Sequence, residues 1–217
     1  ATGTDAYTAG GGLSTKFLNF GTAVTITNST ISGNTTDTAN TGPASTYGAG
    51  IYQQASYATG SMTLNNSTVA FNTSRDFGAG IATNGYTGLT LNSTIVADNT
   101  STTYAAVSDI APRAMTFTVA GDYSLVQTDP TSYGVTFSGT HNIVGSDPLL
   151  KPLANNGGPT QTHALDPTSP AVDAGSNPLS LTTDQRGVPY ARVVGAAADI
   201  GAFELDTDRI FANGFED

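Results

Sequence analysis

Seventeen carboxylates, two histidines and no cysteine are the groups with which this 217-residue chain could do chemistry. Hydrolysis of a glycosidic bond needs two carboxylates flanking it, one acting as acid and one as base or nucleophile. Asp37, Asp76, Asp98 and Asp109 each stand alone in the repetitive part, with no Asp-Asp pair or Gly-His-Gly beside them, and His141 sits in GTHN. Lyase chemistry would need Ca²⁺-binding Asp residues with an Arg or Lys base nearby. Arg75-Asp76 is the one such neighbour pair in the clear repeats, and it reads as a solvated loop pair. His163, in THAL, reads as a loop-packing residue, because no Ser or Asp is spaced beside it for a proton relay. Asp173, Asp184, Arg186, Asp199 and Glu204 form the densest charged set, and Arg186 is expected to bridge two of these carboxylates beneath a C-terminal cap. The alternative is a Ca²⁺ site built from Asp166, Asp173 or Asp184 with turn carbonyls. The sequence therefore assigns no catalytic, cofactor-binding or metal-binding residue, and the chain reads as leaning away from an enzyme.

A formal net charge of -10 from only seven Lys and Arg residues leaves no basic stripe for nucleic acid and none for an anionic membrane. The carboxylates read as solubilising turns. Without cysteine, neither disulfides nor thiolate metal sites enter. No apolar run is long enough to insert into a membrane. The chain opens Ala-Thr-Gly without Met, which fits a processed product or a fragment of a longer chain.

Internal repeats set the architecture. VTITNSTISGNT (24–35) returns as MTLNNSTVAFNT (62–73) and as LTLNSTIVADNT (89–100), and each copy follows a glycine element, GGGL, GAGI or GAGI, ending at Leu13, Ile51 or Ile81. Insertions of varying length fall between them, which a solenoid absorbs as longer loops on one face. The elements are short, β-branched and alternating, as half-buried strands require, and no helical period appears. In-register stacking would place Asn34, Asn72 and Asn99 in one hydrogen-bonded column, with Ile31, Val69 and either Ile95 or Val96 as the interior column. The glycines at 10–12, 48, 50, 78 and 80 suit positive-φ corners where rungs meet closely. Asn28, Asn66 and Asn92 each open an Asn-Ser-Thr sequon, and stacking accounts for their recurrence at one repeat position.

The pattern GAGI…TLxNSTVxxN resembles bacterial extracellular right-handed parallel β-helix proteins of the pectate-lyase-like superfamily. The ordered series YSLVQ, HNIVGSDPLL, LANNGGPTQTHAL, SPAVDAG, TDQRG and DIGAFE (123–204) resembles their choice-of-anchor Q type C-terminal region. IFANGFE in the tail is similar to a terminal motif of gammaproteobacterial secreted proteins, which points to a Gram-negative source. The resemblance implies secretion or surface display and no particular reaction. The expected fold is all-β: a right-handed parallel β-helix of about five rungs over 1–145, an irregular Pro/Gly-rich cap over the open end at 146–204, and a sorting or assembly tail at 205–217.

Function is read as a non-catalytic secreted or cell-surface scaffold or adhesin, completed by upstream rungs or by copies of itself joined head to tail. Ile210, Phe211 and Phe215 would be the anchors of such a fibre. The alternatives are a polysaccharide lyase or glycosidase, or a glycan-binding module using exposed Tyr52, Tyr57 and Tyr86.

Overall fold

The computed structural model describes residues 8–18, 21–36, 46–55, 60–84, 87–103, 106–113 and 117–206. In these residues the chain is all-β and winds as a parallel β-helix, its rungs laying successive strands onto three parallel sheets. The first sheet stacks Leu13–Phe17, Ile51–Ala55, Ile81–Asn84 and Ile110–Pro112. Thr22–Thr27, Gly60–Asn65, Thr87–Asn92, Phe117–Asp122 and Val135–Ser138 form the second. The third holds Thr30–Ser32, Thr68–Ala70, Ile95–Ala97, Leu125–Val126 and Ile143–Val144. Ala106–Val107, which pairs antiparallel with Thr100–Ser101, departs from the parallel rule. The last rung replaces its first-sheet strand with a 3-10 turn, Pro130–Tyr133, capped by the Asp129 carboxylate.

Each rung turns at local left-handed residues, and these line up between rungs. One corner is Gly10, Gly48 and Gly78; a second is Asn28, Asn66, Ser93, Tyr123 and His141; a third is Gly33, Phe71 and Asp98. Asn and Asp tolerate positive φ by bonding their own backbone, whereas Phe and Tyr adopt it at a cost of about 1–2 kcal/mol. Between corners, alternation sends every second side chain inward. Val24, Met62, Leu89, Val119 and Phe137 form one interior column. Ile31, Val69, Val96 and Val126 form another, so Val96 takes the interior place and Ile95 does not.

Ile95 points outward because it stands at the outward place that Thr30 and Thr68 take in the rungs before it; the copies run in register, and only the Asn-Ser-Thr triplet of the third is displaced by one residue. Asn28 and Asn66 share a corner with Ser93, so the sequon at Asn92 lies one position early and does not recur at the same place as the other two. The result is an apolar outer face, Ile95, Ala97 and Leu125, which requires a cover.

Residues 146–206 provide that cover. They form a strap of turns held by three isolated antiparallel bridges, Leu150–Leu165, Ala154–Thr162 and Thr183–Ala191. Leu165, Ala171 and Ile200 pack on Ile95, Ala97 and Leu125 as a second core. Polar bonds fasten the strap to the first rung (Asn28 Nδ2 to Thr183 O, 2.8 Å), the second (Asn66 Nδ2 to Ser176 O, 2.9 Å) and the third (Ser176 N to Ser93 Oγ, 3.0 Å). The segment expected to sit over the open end thus lies along the side of the stack, because the apolar outer face of the third sheet is what it buries.

Candidate functional site

The two repeated sequence elements meet across the interior. Asn34 Nδ2 donates to Asn72 Oδ1 (2.9 Å), Asn72 Nδ2 to Asn99 Oδ1 (2.8 Å) and Asn99 Nδ2 to Asp109 Oδ1 (2.9 Å). The expected asparagine column is present, and a carboxylate closes it. Gly12, Gly50 and Gly80 face these amides: a Cβ on Gly80 would fall 2.7 Å from Asn99 Nδ2 and 2.6 Å from the Asp109 carbonyl. The glycine element and the asparagine element therefore recur together because each needs the other.

Asp109 is buried, and its second oxygen accepts from Thr128 N at 2.8 Å. Burial pushes its carboxyl up to about 6, against the pull of the Asn99 and Thr128 donors. A carboxyl whose folded value exceeds its ordinary 3.8 favours the folded state below 3.8, and that benefit is lost as pH rises through about 6. The difference is on the order of 3 kcal/mol. Lowering the pH from 7 to 4 should therefore stabilise the wild type relative to Asp109→Asn by about that amount, as read by urea unfolding at each pH. Parallel pH curves for the two proteins would contradict the assignment.

The strap holds the other buried charges. Arg186 pairs with Asp184 (Nη2–Oδ2 2.7 Å), donates to the Glu204 carbonyl (2.6 Å), and lies between the rings of Tyr190 and Phe203, 3.9 Å from each centroid. It bridges one carboxylate, not two. Glu204 instead turns its carboxylate to Arg192 (2.6 Å), a fully buried residue that no motif had singled out. Val194 N and Asp199 N also donate to Glu204, at 2.7 and 2.9 Å. Burial drives Glu204 upward, toward about 7, against Arg192 and these amides. Asp199 is likewise raised by burial, while its oxygens accept from Asp173 N and Leu205 N.

The carboxylates considered for Ca²⁺ have separate partners. Lys151 binds Asp166 at 2.6 Å and holds it below the usual carboxylate range, Asp173 accepts from Ala196 N and Ala197 N, and Asp184 serves Arg186. Among the described residues no three His, Asp or Glu are grouped to hold a metal ion. Asp76 pairs with Arg75 (3.5 Å) and fastens Thr46 N (2.8 Å), which makes it a loop anchor. His141 stacks on Tyr123, centroids 4.2 Å apart, beside Asp122. Tyr52 is 2% exposed, so it cannot serve as the surface tyrosine of a glycan site. Asp37, Tyr57, Tyr86, Ile210, Phe211 and Phe215 lie outside the described residues.

One cleft, of roughly 410 Å³, opens where the third corner meets the strap. Phe71, Asp98, Asp147, Leu149, Lys151 and Asp166 line it. Phe71 (39% exposed) and Asp98 occupy the left-handed corner that Gly33 holds in the first rung, so the turn itself does not call for their side chains. Burial raises Asp98, helped by the nearby Asp147 charge. Behind the Phe71 ring, 4.8 Å away, lies the His163 imidazole. Its Nε2 meets Ser32 Oγ at 2.7 Å and its Nδ1 meets the Lys151 carbonyl at 2.8 Å. His163 does pack the strap, but Ser32, 131 residues earlier, is a hydroxyl partner that local spacing did not reveal.

No family model, no curated protein and no solved structure matches the chain.

Proposed function

We propose that the chain is a non-catalytic scaffold or adhesin of a secreted or cell-surface protein, its stack continued by further rungs or by copies joined head to tail. The use of its buried charges supports this reading. Arg186, Arg192, Asp184, Glu204 and Asp109 all bond inward, fastening the strap or closing the asparagine column, as a part built for stiffness requires. The resemblance of 123–204 to the choice-of-anchor Q type region of extracellular pectate-lyase-like proteins supports display outside the cell, and that of the IFANGFE motif supports a Gram-negative source. Light scattering with negative-stain imaging of the full chain should show end-to-end assemblies, and deletion of residues 205–217 should abolish them. Unchanged assemblies after the deletion would refute the head-to-tail joint through the tail.

A carbohydrate-active reading has one observation in its favour: the cleft gathers Asp98, Asp147 and Asp166 with Lys151 beside an exposed phenyl ring. It predicts product release from uronic-acid polysaccharides, lost in Asp98→Asn; no release by the wild type would leave the scaffold reading alone.

A further inference from the structure

We infer that Ser32 is a primed nucleophile and a site of covalent acylation, its hydroxyl delivered to the His163 imidazole and open to an activated ester or thioester. This goes beyond the scaffold reading and does not depend on it.

The proton positions follow from the partners. A carbonyl oxygen only accepts, so the contact between His163 Nδ1 and Lys151 O places the imidazole proton on Nδ1. Nε2 then carries the lone pair, and Ser32 Oγ, 2.7 Å away, must donate to it. This is a nucleophile bonded to a base that a third group orients. His163 is 3% exposed, boxed in by Ser32, the Phe71 ring and the Lys151 carbonyl, with the Asp98 charge acting on it. Burial lowers its proton affinity and keeps it neutral, while the Lys151 carbonyl and Asp98 favour the imidazolium once a proton arrives.

The other hydroxyls that hold the strap lack this arrangement. Thr30 donates to the Gln185 amide, Thr68 Oγ1 accepts from Ala202 N, and Ser93 Oγ accepts from Ser176 N. Access further separates Ser32 from the buried Thr68 and Ser93. Ser32 is half-buried and precedes Gly33, where an added Cβ would meet nothing within 4 Å. The same corner carries Phe71 and Asp98 in the next two rungs. Among the described residues, no atom fills the place next to Gly33 that those side chains take farther along the stack.

In the reaction Ser32 Oγ bonds to the acyl carbon as its proton passes to His163 Nε2. The donor's C–O or C–S bond breaks, and the departing alkoxide or thiolate takes that proton from Nε2. One ester per chain results, and nothing is oxidised or reduced.

The full chain should be incubated with p-nitrophenyl acetate, and separately with a fluorophosphonate, then followed by intact mass and peptide mapping. One adduct is expected, on the Ser32 peptide, forming faster as pH rises through the titration of His163. Ser32→Ala should abolish it. His163→Gln keeps an acceptor for the hydroxyl but no base, and should slow labelling by about a hundredfold. Thermal melts of the variants report folding separately from reactivity. Labelling spread over other hydroxyls and lysines, or a folded His163→Gln labelled at the wild-type rate, would overturn the proposal.

Discussion

Replacing Arg192 with Met should lower the unfolding free energy by about 3–5 kcal/mol, among the largest effects available in the strap. The guanidinium is fully buried, and its Nη2 meets Glu204 Oε2 at 2.6 Å while Nη1 donates to the Gly201 carbonyl at 2.9 Å. Met has comparable volume and leaves no large void, so the loss measures an uncompensated Glu204 carboxylate and an orphaned carbonyl. Both groups are far costlier unpaired inside the protein than in water. Glu204→Gln should also destabilise, because an uncompensated guanidinium then remains. The double variant should cost clearly less than the sum, since neither charge is left alone. Urea unfolding followed by far-UV circular dichroism gives all three values. Strict additivity would show that the pair is not coupled.

Asn72→Ala should cost a similar amount, about 3–5 kcal/mol, by a different route. The Asn72 amide donates to Asn99 Oδ1, Ile31 O and Ala70 O, at 2.8, 3.0 and 3.1 Å. Its Oδ1 accepts from Asn34 N and Asn34 Nδ2, at 3.0 and 2.9 Å. Alanine fills none of these roles, and Gly50, whose missing Cβ makes room for the amide, leaves the gap unfilled. Asn34→Ala should cost less than half as much. Asn34 is only half-buried and has fewer neighbours to strand. Equal losses at the two positions would mean that the column does not act through buried, unsatisfied groups.

The column was legible in the sequence because in-register stacking demands the same residue at the same place in every rung. VTITNSTISGNT, MTLNNSTVAFNT and LTLNSTIVADNT carry that demand openly. Its final member was not legible. Asp109 does the acceptor's work of an asparagine, but the change of residue type and its spacing only ten residues after Asn99 break the period. The outward place of Ile95 was hidden by the sequon itself, since laying Asn-Ser-Thr upon Asn-Ser-Thr shifts the third copy one residue from its true register and matches Ile95 with Val69 instead of Thr68. The strap was readable only as a run of turns. Its bonds join residues such as Asn28 and Thr183, 155 positions apart, and nothing periodic links them. For the same reason Ser32 could not be paired with His163, or Glu204 with Arg192, before their positions in space were known.

The asparagine column also has a direction. Each side-chain bond within it runs the same way, from Asn34 through Asn72 and Asn99 to Asp109, while the amides also donate to backbone carbonyls. The amide dipoles therefore add, with their positive ends toward the carboxylate, and each bond polarises the next. Proton affinity at Asp109 is thus tied to hydrogen bonding at Asn34, three links up the stack. A donor that engaged the Asn34 oxygen would make the aspartate more acidic from the far end, with no rung having to move.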